Sequence, residues 1–416
     1  MKTWNRILGS SWNPWRDLGG LPRESWILAA ASLINRAGTM VLPFLMLYLT
    51  KELGFTPSQA GLMIGIYGLT ALLSAPLNGF LSDRFGALRV MTLSLLSSGL
   101  SLWLIPIAKT QWQVLAAVIV LALTTEAFRP ANLAMVGDLA GPQLRKQGFA
   151  LNRLSVNLGM SIGPALGGFL ALVSFRSLFW VDGATSLAAG VLLLATPFRK
   201  TAGEPHPQAG HAPVASRLVF HDRRLLYFLF AILPILIVFF QHHAAMPLYM
   251  VEELHMSAAI FGLMFTINTL LIVLLEVRIN SATAHWSHRR ALALGAFLIG
   301  TGFGALALAR NIPAIIATVV IWTAGEMIFL PTASAFVSEI APRARQGEYM
   351  GYYTMCFGLS YAVGPWLGSV VMQRYGSPTL WLGCVAFGLI SALLLIRVPL
   401  VYDAGHSNGA ALAQLD

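Results

Sequence analysis

The chain has 416 residues, of which 56% are apolar and only 11% are charged, and its formal net charge is +10 at pH 7. A soluble globular domain carries about 25% charged residues, so this composition excludes an ordinary water-facing surface. A membrane-spanning helix needs ~20 apolar residues, which leaves room for about a dozen helices with short loops. Composition therefore indicates a polytopic membrane protein.

Twelve apolar segments have the length that a membrane-spanning helix requires. The predicted spans, numbered 1 to 12 in chain order, cover residues 26–50, 58–81, 89–108, 112–139, 148–174, 177–197, 224–250, 258–284, 291–309, 312–340, 348–372 and 378–399. The predicted fold class is an all-α membrane protein.

Basic residues collect in the loops on one side of these spans. The poorer side has only Lys51, Lys109, Arg176, Arg310 and Arg374. Because positively charged loops stay in the cytoplasm, both termini are predicted to be cytoplasmic, with the chain in the bacterial inner membrane. This one-sided distribution explains the net charge without a nucleic-acid partner.

The two halves of the chain carry the same short patterns about 200 residues apart. Glu52-Leu53 matches Glu253-Leu254, and Gly163-Pro164 matches Gly364-Pro365. Such a collinear series indicates an internal repeat, and two parallel halves place a substrate cavity between them near the membrane midplane. The predicted organisation is a cytoplasmic segment 1–25, a six-helix bundle 26–197, a cytoplasmic linker 198–222, a six-helix bundle 223–399 and a cytoplasmic tail 400–416.

The segment before span 1 has apolar residues at helical spacing. Trp4, Ile7, Leu8, Trp12 and Trp15 recur at this spacing, with the basic residues Lys2 and Arg6 near its start. This pattern favours a short helix lying in the membrane interface. A disordered tail is the alternative, because Pro14 interrupts the pattern.

The loop after span 2 reads Gly79-Phe-Leu-Ser-Asp83-Arg84-Phe-Gly86-Ala-Leu-Arg89. This order of glycine, Asp-Arg pair, glycine and base resembles the signature loop of the major facilitator superfamily. The resemblance covers the whole chain in layout, and implies two pseudo-symmetric six-helix bundles and transport by alternating access. Ala87 departs from the pattern, since a basic residue is common there.

This loop is expected to form a cytoplasmic gate. The glycines permit a tight turn and a close helix approach, and the aspartate is predicted at a helix N-terminus, where the helix dipole favours an anion. A loop arginine can then pair with an acid at the cytoplasmic end of span 4, where the resemblance places one. The predicted gate residues are Gly79, Asp83, Arg84, Gly86, Arg89 and Asp138.

Span 5 carries a second motif, with Gly159, Gly163, Pro164 and Gly167. It resembles the glycine-proline motif frequent in proton-driven efflux members of the same superfamily. Glycines four residues apart let helices approach closely, and a proline kinks the helix. Simple helix packing is the alternative interpretation.

Ionisable side chains within the spans are costly, at roughly 2.5–3.5 kcal/mol each at the bilayer centre, and so indicate functional positions. Glu126 and Arg129 share one face of span 4. We expect Glu126 to exchange a proton, unless the two residues simply neutralise each other. Glu326 on span 10 lies at nearly the same repeat offset and is the second candidate proton carrier.

Several polar residues within the spans are candidates to line the substrate cavity. Arg36 is expected either to bind an anionic substrate or to pair with Glu126 or Glu326. The histidine pair in span 7 can sense pH or line the cavity. The predicted cavity residues are Asn35, Arg36, Arg129, Arg153, Asn157, Gln241 and His242.

These features favour a proton-coupled secondary transporter that exports small amphipathic or drug-like compounds. The alternative is an uptake symporter for a small polar or anionic solute, such as a peptide or carboxylate, because three intramembrane arginines suit an anion. The predicted partners are a small-molecule substrate, protons and the lipid bilayer, with the protein acting as a monomer. No ATP-binding loop, cofactor site or metal site is predicted.

An intramembrane hydrolase is the remaining hypothesis. Ser161 lies in Gly159-Met-Ser161-Ile-Gly163, which matches a serine-hydrolase elbow by letter, and His242 or His243 would be its base. That elbow needs a strand before it, whereas both flanks here are predicted helices. The sequence therefore does not favour an enzyme.

Overall fold

The structure is a computed structural model that describes residues 20–198, 222–283, 285–342 and 345–398, apart from the side chains of Asp83, Pro142, Gln143 and Lys146. The described residues are almost wholly helical and contain no strand. The predicted interfacial helix before residue 20, most of the linker 198–222 and the tail 400–416 lie outside the described residues.

Twelve helices in the described part of the chain are long and apolar enough to cross a membrane, which confirms the predicted all-α fold class. Their bounds are Arg23–Glu52, Pro57–Ser82, Ala87–Ile107, Gln111–Gly141, Gln147–Val173, Phe175–Ala195, Arg223–His243, Ala258–Thr283, His288–Ala307, Ile312–Ile340, Gln346–Tyr375 and Ser377–Ile396. We keep the numbers 1 to 12 for these spans.

The predicted end of span 7 at residue 250 is wrong. The helix Arg223–Phe239 passes into a 3₁₀ turn at Phe240–His243, and Ala244 leaves the helical region with φ −127° and ψ −68°. Hydropathy missed this break because apolar residues resume at Ala244, directly after the short polar run Gln241-His242-His243.

Span 1 contains a comparable break. The helix Arg23–Gly38 ends before Thr39, and a short helix Val41–Leu47 leads into a π-helix at Tyr48–Glu52. Span 7 repeats this order after its own break, with a short helix Ala245–Leu248 and a π-helix at Tyr249–Glu253. The sequence repeat is thus matched in the local backbone of these two segments.

The chain divides into two compact units that interleave along the sequence. The first comprises Met1–His211, Phe240–Leu274 and Tyr361–Ser377, and the second comprises Ala212–Phe239, Leu275–Ser360 and Pro378–Asp416. These units do not follow the predicted bundle boundaries, because parts of spans 7, 8 and 11 belong to the first unit. The division into bundles 26–197 and 223–399 stays a prediction.

In the first unit, the glycines of span 5 pack against the break in span 1. A Cβ atom on Gly163 would lie 2.8 Å from the carbonyl oxygen of Arg36 and 2.9 Å from that of Thr39. A Cβ on Gly159 would lie 2.5 Å from the Cβ of Arg36. The glycine motif therefore lets the backbones of spans 1 and 5 approach each other closely, as the packing interpretation expects.

In the N-terminal half of span 2, glycines also let helices of the first unit approach each other closely. A Cβ on Gly65 would lie 2.4 Å from the carbonyl oxygen of Ala362 in span 11. Polar contacts reinforce this end: Thr50 Oγ1 donates to Glu252 Oε1 at 2.6 Å, and Thr266 Oγ1 donates to the Ser161 carbonyl at 2.7 Å. These contacts therefore join residues of the first unit that are far apart in the sequence.

In the second unit, spans 9 and 10 are joined by small residues. A Cβ on Gly325 would lie 2.7 Å from the carbonyl oxygen of Gly295. At the start of span 11, Tyr349 donates its hydroxyl proton to Asp222 at 2.6 Å. Asp222 also accepts from the backbone N–H of Arg224 at 2.9 Å, so its carboxylate caps span 7.

Candidate functional site

The first unit contains a cavity of about 170 Å³ that is lined by spans 1, 2, 3, 4 and 6. Its lining combines apolar side chains with several ionisable and hydroxyl-bearing ones. The lining residues are Asn35, Arg36, Thr39, Val41, Leu42, Tyr67, Leu95, Ser98, Leu102, Leu121, Thr125, Glu126, Phe128, Arg129, Asp182 and Ser186. The cavity thus collects most of the intramembrane charges of the first half of the chain.

Two helix breaks open onto this cavity. Span 1 is interrupted at Thr39 and Met40, and span 4 is interrupted where the helix Gln111–Thr125 ends and a new helix begins at Phe128. A break frees backbone N–H and C=O groups from the helical ladder, and in a membrane these groups need other partners. The break in span 1 therefore places polar backbone next to the charged side chains. The interruption in span 4 is milder, because Glu126 and Ala127 keep helical dihedral angles and the Glu126 N–H still donates to the Ala122 carbonyl at 3.1 Å.

Asp182 of span 6 accepts hydrogen bonds from the backbone N–H groups that are freed at the break in span 1. Its Oδ2 accepts hydrogen bonds from the backbone N–H groups of Met40 at 3.2 Å and Val41 at 3.1 Å. These N–H groups form the N-terminal end of the short helix Val41–Leu47, where the helix dipole also favours a negative charge. Asp182 therefore fixes the shape of the break.

Sequence reasoning missed Asp182. It is the sole carboxylate among the described residues Phe175–Ala195 and is 6% exposed. The predicted span 177–197 placed it near a membrane surface, where a charge is unremarkable. A search for every acid within an apolar helix, whatever its distance from the predicted end, would have found it.

Glu126 lies at the break in span 4, with its carboxylate on the cavity. The hydroxyl of Tyr67 donates a hydrogen bond to Glu126 Oε1 at 2.9 Å. Arg129 lines the same cavity, as the shared face predicts, but no ion pair joins it to Glu126 in the described part of the chain. The two residues are therefore brought together without neutralising each other directly.

Arg36 approaches the cavity from the last turn before the break in span 1. Its Nε is buried and has no hydrogen-bond acceptor among the described residues. The guanidinium carbon lies 5.9 Å from the centre of the Phe128 ring, a cation–π distance. Arg36 also interacts electrostatically with Glu126 and Asp182. Its neighbour Asn35 donates to Ser186 Oγ at 3.2 Å.

The formal charges of the two arginines and the two carboxylic acids in the cavity add up to zero. Arg36 and Arg129 carry two positive charges, and Glu126 and Asp182 carry two negative charges when ionised. Charge balance reduces the cost of holding these groups away from water. Gaining one proton would therefore give the cavity a net positive charge.

The other predicted cavity residues lie elsewhere. Arg153 is exposed and Asn157 is half-buried on span 5, and neither lines this cavity. Gln241 is buried in span 7 and donates from Nε2 to the Gly364 carbonyl at 2.8 Å. Glu326 is half-buried on span 10 in the second unit and does not line this cavity.

His242 belongs to a ring cluster near the break in span 7. Its ring centre lies 4.1 Å from that of His243, which lies 5.5 Å from that of Tyr361. The Tyr361 ring in turn contacts Tyr67 edge-on, at 6.0 Å between centres. The histidines therefore connect to Glu126 through two tyrosine rings rather than by lining the cavity.

The expectation that Asp83 lies at a helix N-terminus is wrong. Asp83 is in the last turn of the helix Pro57–Phe85, which ends at Gly86 with φ +86°. The left-handed backbone explains why a glycine is needed at 86. Gly79 does not mediate a close helix approach in this structure, because a Cβ there would meet no atom within 4 Å.

The pairing of a motif arginine with Asp138 stays a prediction. The Arg84 guanidinium carbon lies 5.9 Å from the Phe80 ring centre and 5.6 Å from that of Phe85. Arg89 is exposed. Arg145 lies beside Gly137, since a Cβ on that glycine would be 3.5 Å from its Nη2. A gate role for these residues stays a prediction.

Ser161 does not have the geometry of a nucleophile. Its hydroxyl donates to the carbonyl oxygen of Leu158 at 2.7 Å, within its own helix. Among the described residues there is also no group of three or more His, Cys, Asp or Glu side chains that could hold a metal ion. The hydrolase hypothesis gains no support from these contacts.

Twelve helices in the described part of the chain are long and apolar enough to span a membrane, and five of them line a cavity with charged side chains, which indicates an integral membrane protein. A family model described as the Major Facilitator Superfamily matches residues 28–249 and 242–413, and the chain belongs to this family. The family comprises transporters, not enzymes.

Relatives within the family include drug-resistance proteins. The chain is 25% identical over 381 residues to the multidrug resistance protein MdtH of Aeromonas hydrophila, covering 89% of this chain and 94% of the relative. It is also 25% identical over 359 residues to the class C tetracycline resistance protein of Escherichia coli, covering 85% and 89%. The chain thus resembles drug-efflux members of the superfamily.

A crystal structure of the nucleoside transporter NupG has the same fold. It superposes with a TM-score of 0.79 and 14% identity, covering 90% of this chain and 99% of that one. At this identity the similarity establishes the fold alone.

Proposed function

We propose that the protein is a proton-coupled exporter of small amphipathic or drug-like compounds, acting as a monomer in the bacterial inner membrane with both termini in the cytoplasm. The observation that carries this proposal is the cavity in which Glu126 lies within electrostatic reach of Arg36 and accepts a hydrogen bond from Tyr67. Its resemblance to multidrug and tetracycline resistance proteins supports export as the direction.

Glu126 is the proposed proton carrier. The groups that act on it come from two spans: Tyr67 of span 2 by hydrogen bond, and Arg36 of span 1 electrostatically. The Tyr361 ring of span 11 packs edge-on against Tyr67. Arg129 and Asp182 line the same cavity. Protonation of Glu126 changes the formal charge of the cavity from zero to +1. A substrate that needs the ionised carboxylate therefore competes with the proton, and such competition is what exchange requires.

Alternating access would convert this competition into transport. In the proposed cycle, substrate binds to ionised Glu126 from the cytoplasm and leaves on the other side when a proton replaces it. The Asp83-Arg84 loop is the proposed cytoplasmic gate, and Glu326 remains a second proposed proton site.

Uptake by symport is the second candidate function. It is favoured by the buried Nε of Arg36, which has no acceptor among the described residues and could receive an anion. Two findings weigh against it: Arg153 does not line the cavity, and two carboxylates offset the two arginines that do.

Proteoliposomes separate the two directions. We expect an outward-directed substrate gradient to drive protons inward in vesicles that contain the wild-type protein, and Glu126→Gln to abolish this proton movement. Glu276→Gln is the matched control, because Glu276 is an acid of span 8 that does not line the cavity. Co-movement of protons and substrate in the same direction would contradict export by exchange.

A further inference from the structure

We propose that the cavity is a dipolar binding site and that the exported compounds are zwitterions. Their acidic group would bind between Arg36 and Arg129, and their protonated amine would bind Glu126. This inference rests on the proposed export function and names its substrate class.

The first step concerns the arginines. The Nε of Arg36 is buried and has no acceptor among the described residues. Arg129 lines the same cavity but is exposed, so the burial argument applies to Arg36 alone. A buried charged donor without an acceptor is destabilising, so the apo site favours a ligand that brings one. A carboxylate, sulfonate or phenolate oxygen satisfies a guanidinium well because the hydrogen bond is charge-assisted.

The second step concerns the acids. Asp182 is committed to the backbone at the break in span 1, where it accepts from both Met40 and Val41. Glu126 receives one hydrogen bond, from Tyr67 to Oε1, and its Oε2 receives none from the described residues. The open acceptor of the cavity is therefore Glu126, and a protonated amine is the donor that matches its charge.

The third step compares ligands by charge. With Glu126 and Asp182 both ionised the cavity is formally neutral, so a cation alone would leave it at +1 next to Arg36, and an anion alone would leave it at −1 next to Glu126. A zwitterion keeps the sum at zero and gives both open groups a partner. Because unpaired charge is costly away from water, the zwitterion is favoured over either single ion.

The apolar part of the lining completes the substrate description. Val41, Leu42 and Phe128 contribute to the cavity wall beside the charged groups. An apolar body attached to the ionic head can therefore be buried against them. The expected ligand is a compact amphipathic molecule with an amine and an acidic group on one end.

The proposal also fixes the sign of proton coupling. The amine of a zwitterion and a proton both require the Glu126 carboxylate, so they exclude each other, as exchange demands. An anion without an amine would bind better when Glu126 is protonated, and would move together with the proton.

Matched compounds test the inference. We would measure binding to the purified full-length protein for phenylalanine and four arylalkyl amino acids of increasing length, each compared with its methyl ester and its N-acetyl derivative. The zwitterions are expected to bind at least about tenfold more tightly than either derivative, since a site built for a polar group rejects the analogue that lacks it. Equal or tighter binding of an ester or N-acetyl compound would overturn the proposal.

Two variants test which side chain binds the acidic group of the ligand and which binds its amine. Arg36→Gln should remove the advantage of the zwitterion over its ester, and Glu126→Gln should remove its advantage over the N-acetyl derivative. Arg36→Lys should restore part of the first difference, and thermal unfolding confirms that each variant is folded. Loss of both differences in a single folded variant, or of neither in both, contradicts the assignment.

Failure of this inference is distinguishable from failure of the proposed function. Proton-coupled export of esters or neutral compounds, without any zwitterion preference, would refute the substrate class and leave the exporter intact. Selective zwitterion binding without proton exchange in proteoliposomes would refute the exporter and leave the dipolar site intact.

Discussion

The breaks in spans 1 and 7 have similar backbones and different chemistry. Each is followed by a short helix and a π-helix, at Tyr48–Glu52 and Tyr249–Glu253. At the repeat offset, however, Arg36 is replaced by Ile237 and Asp182 by Gly383. The break in span 7 is instead held by Gln241, a neutral side chain that donates to the Gly364 carbonyl. An internal repeat can therefore preserve a bent helix while only one copy carries the charges.

Asp182→Ala should have the largest effect, because it removes the acceptor that satisfies two N–H groups at the first break. We expect a loss of about 1–3 kcal/mol in the free energy of unfolding for each orphaned group. Asp182→Asn keeps an acceptor oxygen and should recover much of this loss. Denaturant unfolding of the detergent-solubilised protein measures both. Wild-type stability of Asp182→Ala would show that the first break does not need its carboxylate.

Gly163→Ala should cause the next largest loss of stability. Its new Cβ would clash with backbone atoms of span 1, which cannot move aside. The expected cost is about 1–3 kcal/mol, as for overpacking in a tight core. Gly368→Ala, one turn beyond the repeat counterpart of Gly163 in span 11, meets the end of the Gln241 side chain and should cost less. Gly79→Ala is the matched control, since a helical alanine in open space stabilises by roughly 0.5–1 kcal/mol. Melting temperatures compare the three variants, and equal values for Gly163→Ala and Gly79→Ala would refute the packing argument.

Tyr67→Phe should have a moderate effect on transport. It removes the one hydrogen bond that Glu126 receives from a described side chain but leaves the edge-on ring contact with Tyr361 in place. A hydrogen bond to a charged group is worth about 1.5–3 kcal/mol, so we expect at least about a tenfold loss of proton-coupled flux. Tyr361→Phe leaves the Tyr67–Glu126 hydrogen bond intact, so it should lose less proton-coupled flux than Tyr67→Phe. Equal flux in the two variants would contradict a role for the Tyr67 hydroxyl in proton coupling.

Thr50→Val should have the smallest effect, and it tests the repeat directly. Val251 occupies the corresponding position in the second π-helix, so the substitution makes the first copy resemble the second. It deletes the hydroxyl that donates to Glu252 and should lower stability by about 0.5–1.5 kcal/mol. A larger drop in melting temperature than that of Asp182→Ala would reverse the order of importance proposed for these contacts.

The sequence predicts features that depend on composition and spacing. The twelve spans follow from hydropathy, and Glu126 and Arg129 stand out because charge is rare in an apolar helix. The breaks at Thr39 and Ala244 escape detection because the polar stretches before them are short and the apolar segment resumes directly after each one. Asp83 was misplaced because a helix boundary read from hydropathy is uncertain by a few residues, and here the helix continues to Phe85.

The rotation of a helix about its axis is also hidden in such a sequence. Arg153 was expected in the cavity, and the structure exposes it, because a span that is apolar on every side gives no indication of which face packs inward. The role of Asp182 depends on a contact with residues about 140 positions earlier in the chain, and no local pattern encodes such a contact.

Substrate-induced proton release tests the central claim most directly. The test uses lightly buffered, detergent-solubilised protein at a pH acid enough to protonate Glu126. Adding a transported compound should acidify the solution for the wild type and for Glu326→Gln, and should not do so for Glu126→Gln. This result would place the exchanging proton at the charged break in the first half of the chain. Proton release that persists in Glu126→Gln but is lost in Glu326→Gln would contradict the account and move the proton site to span 10.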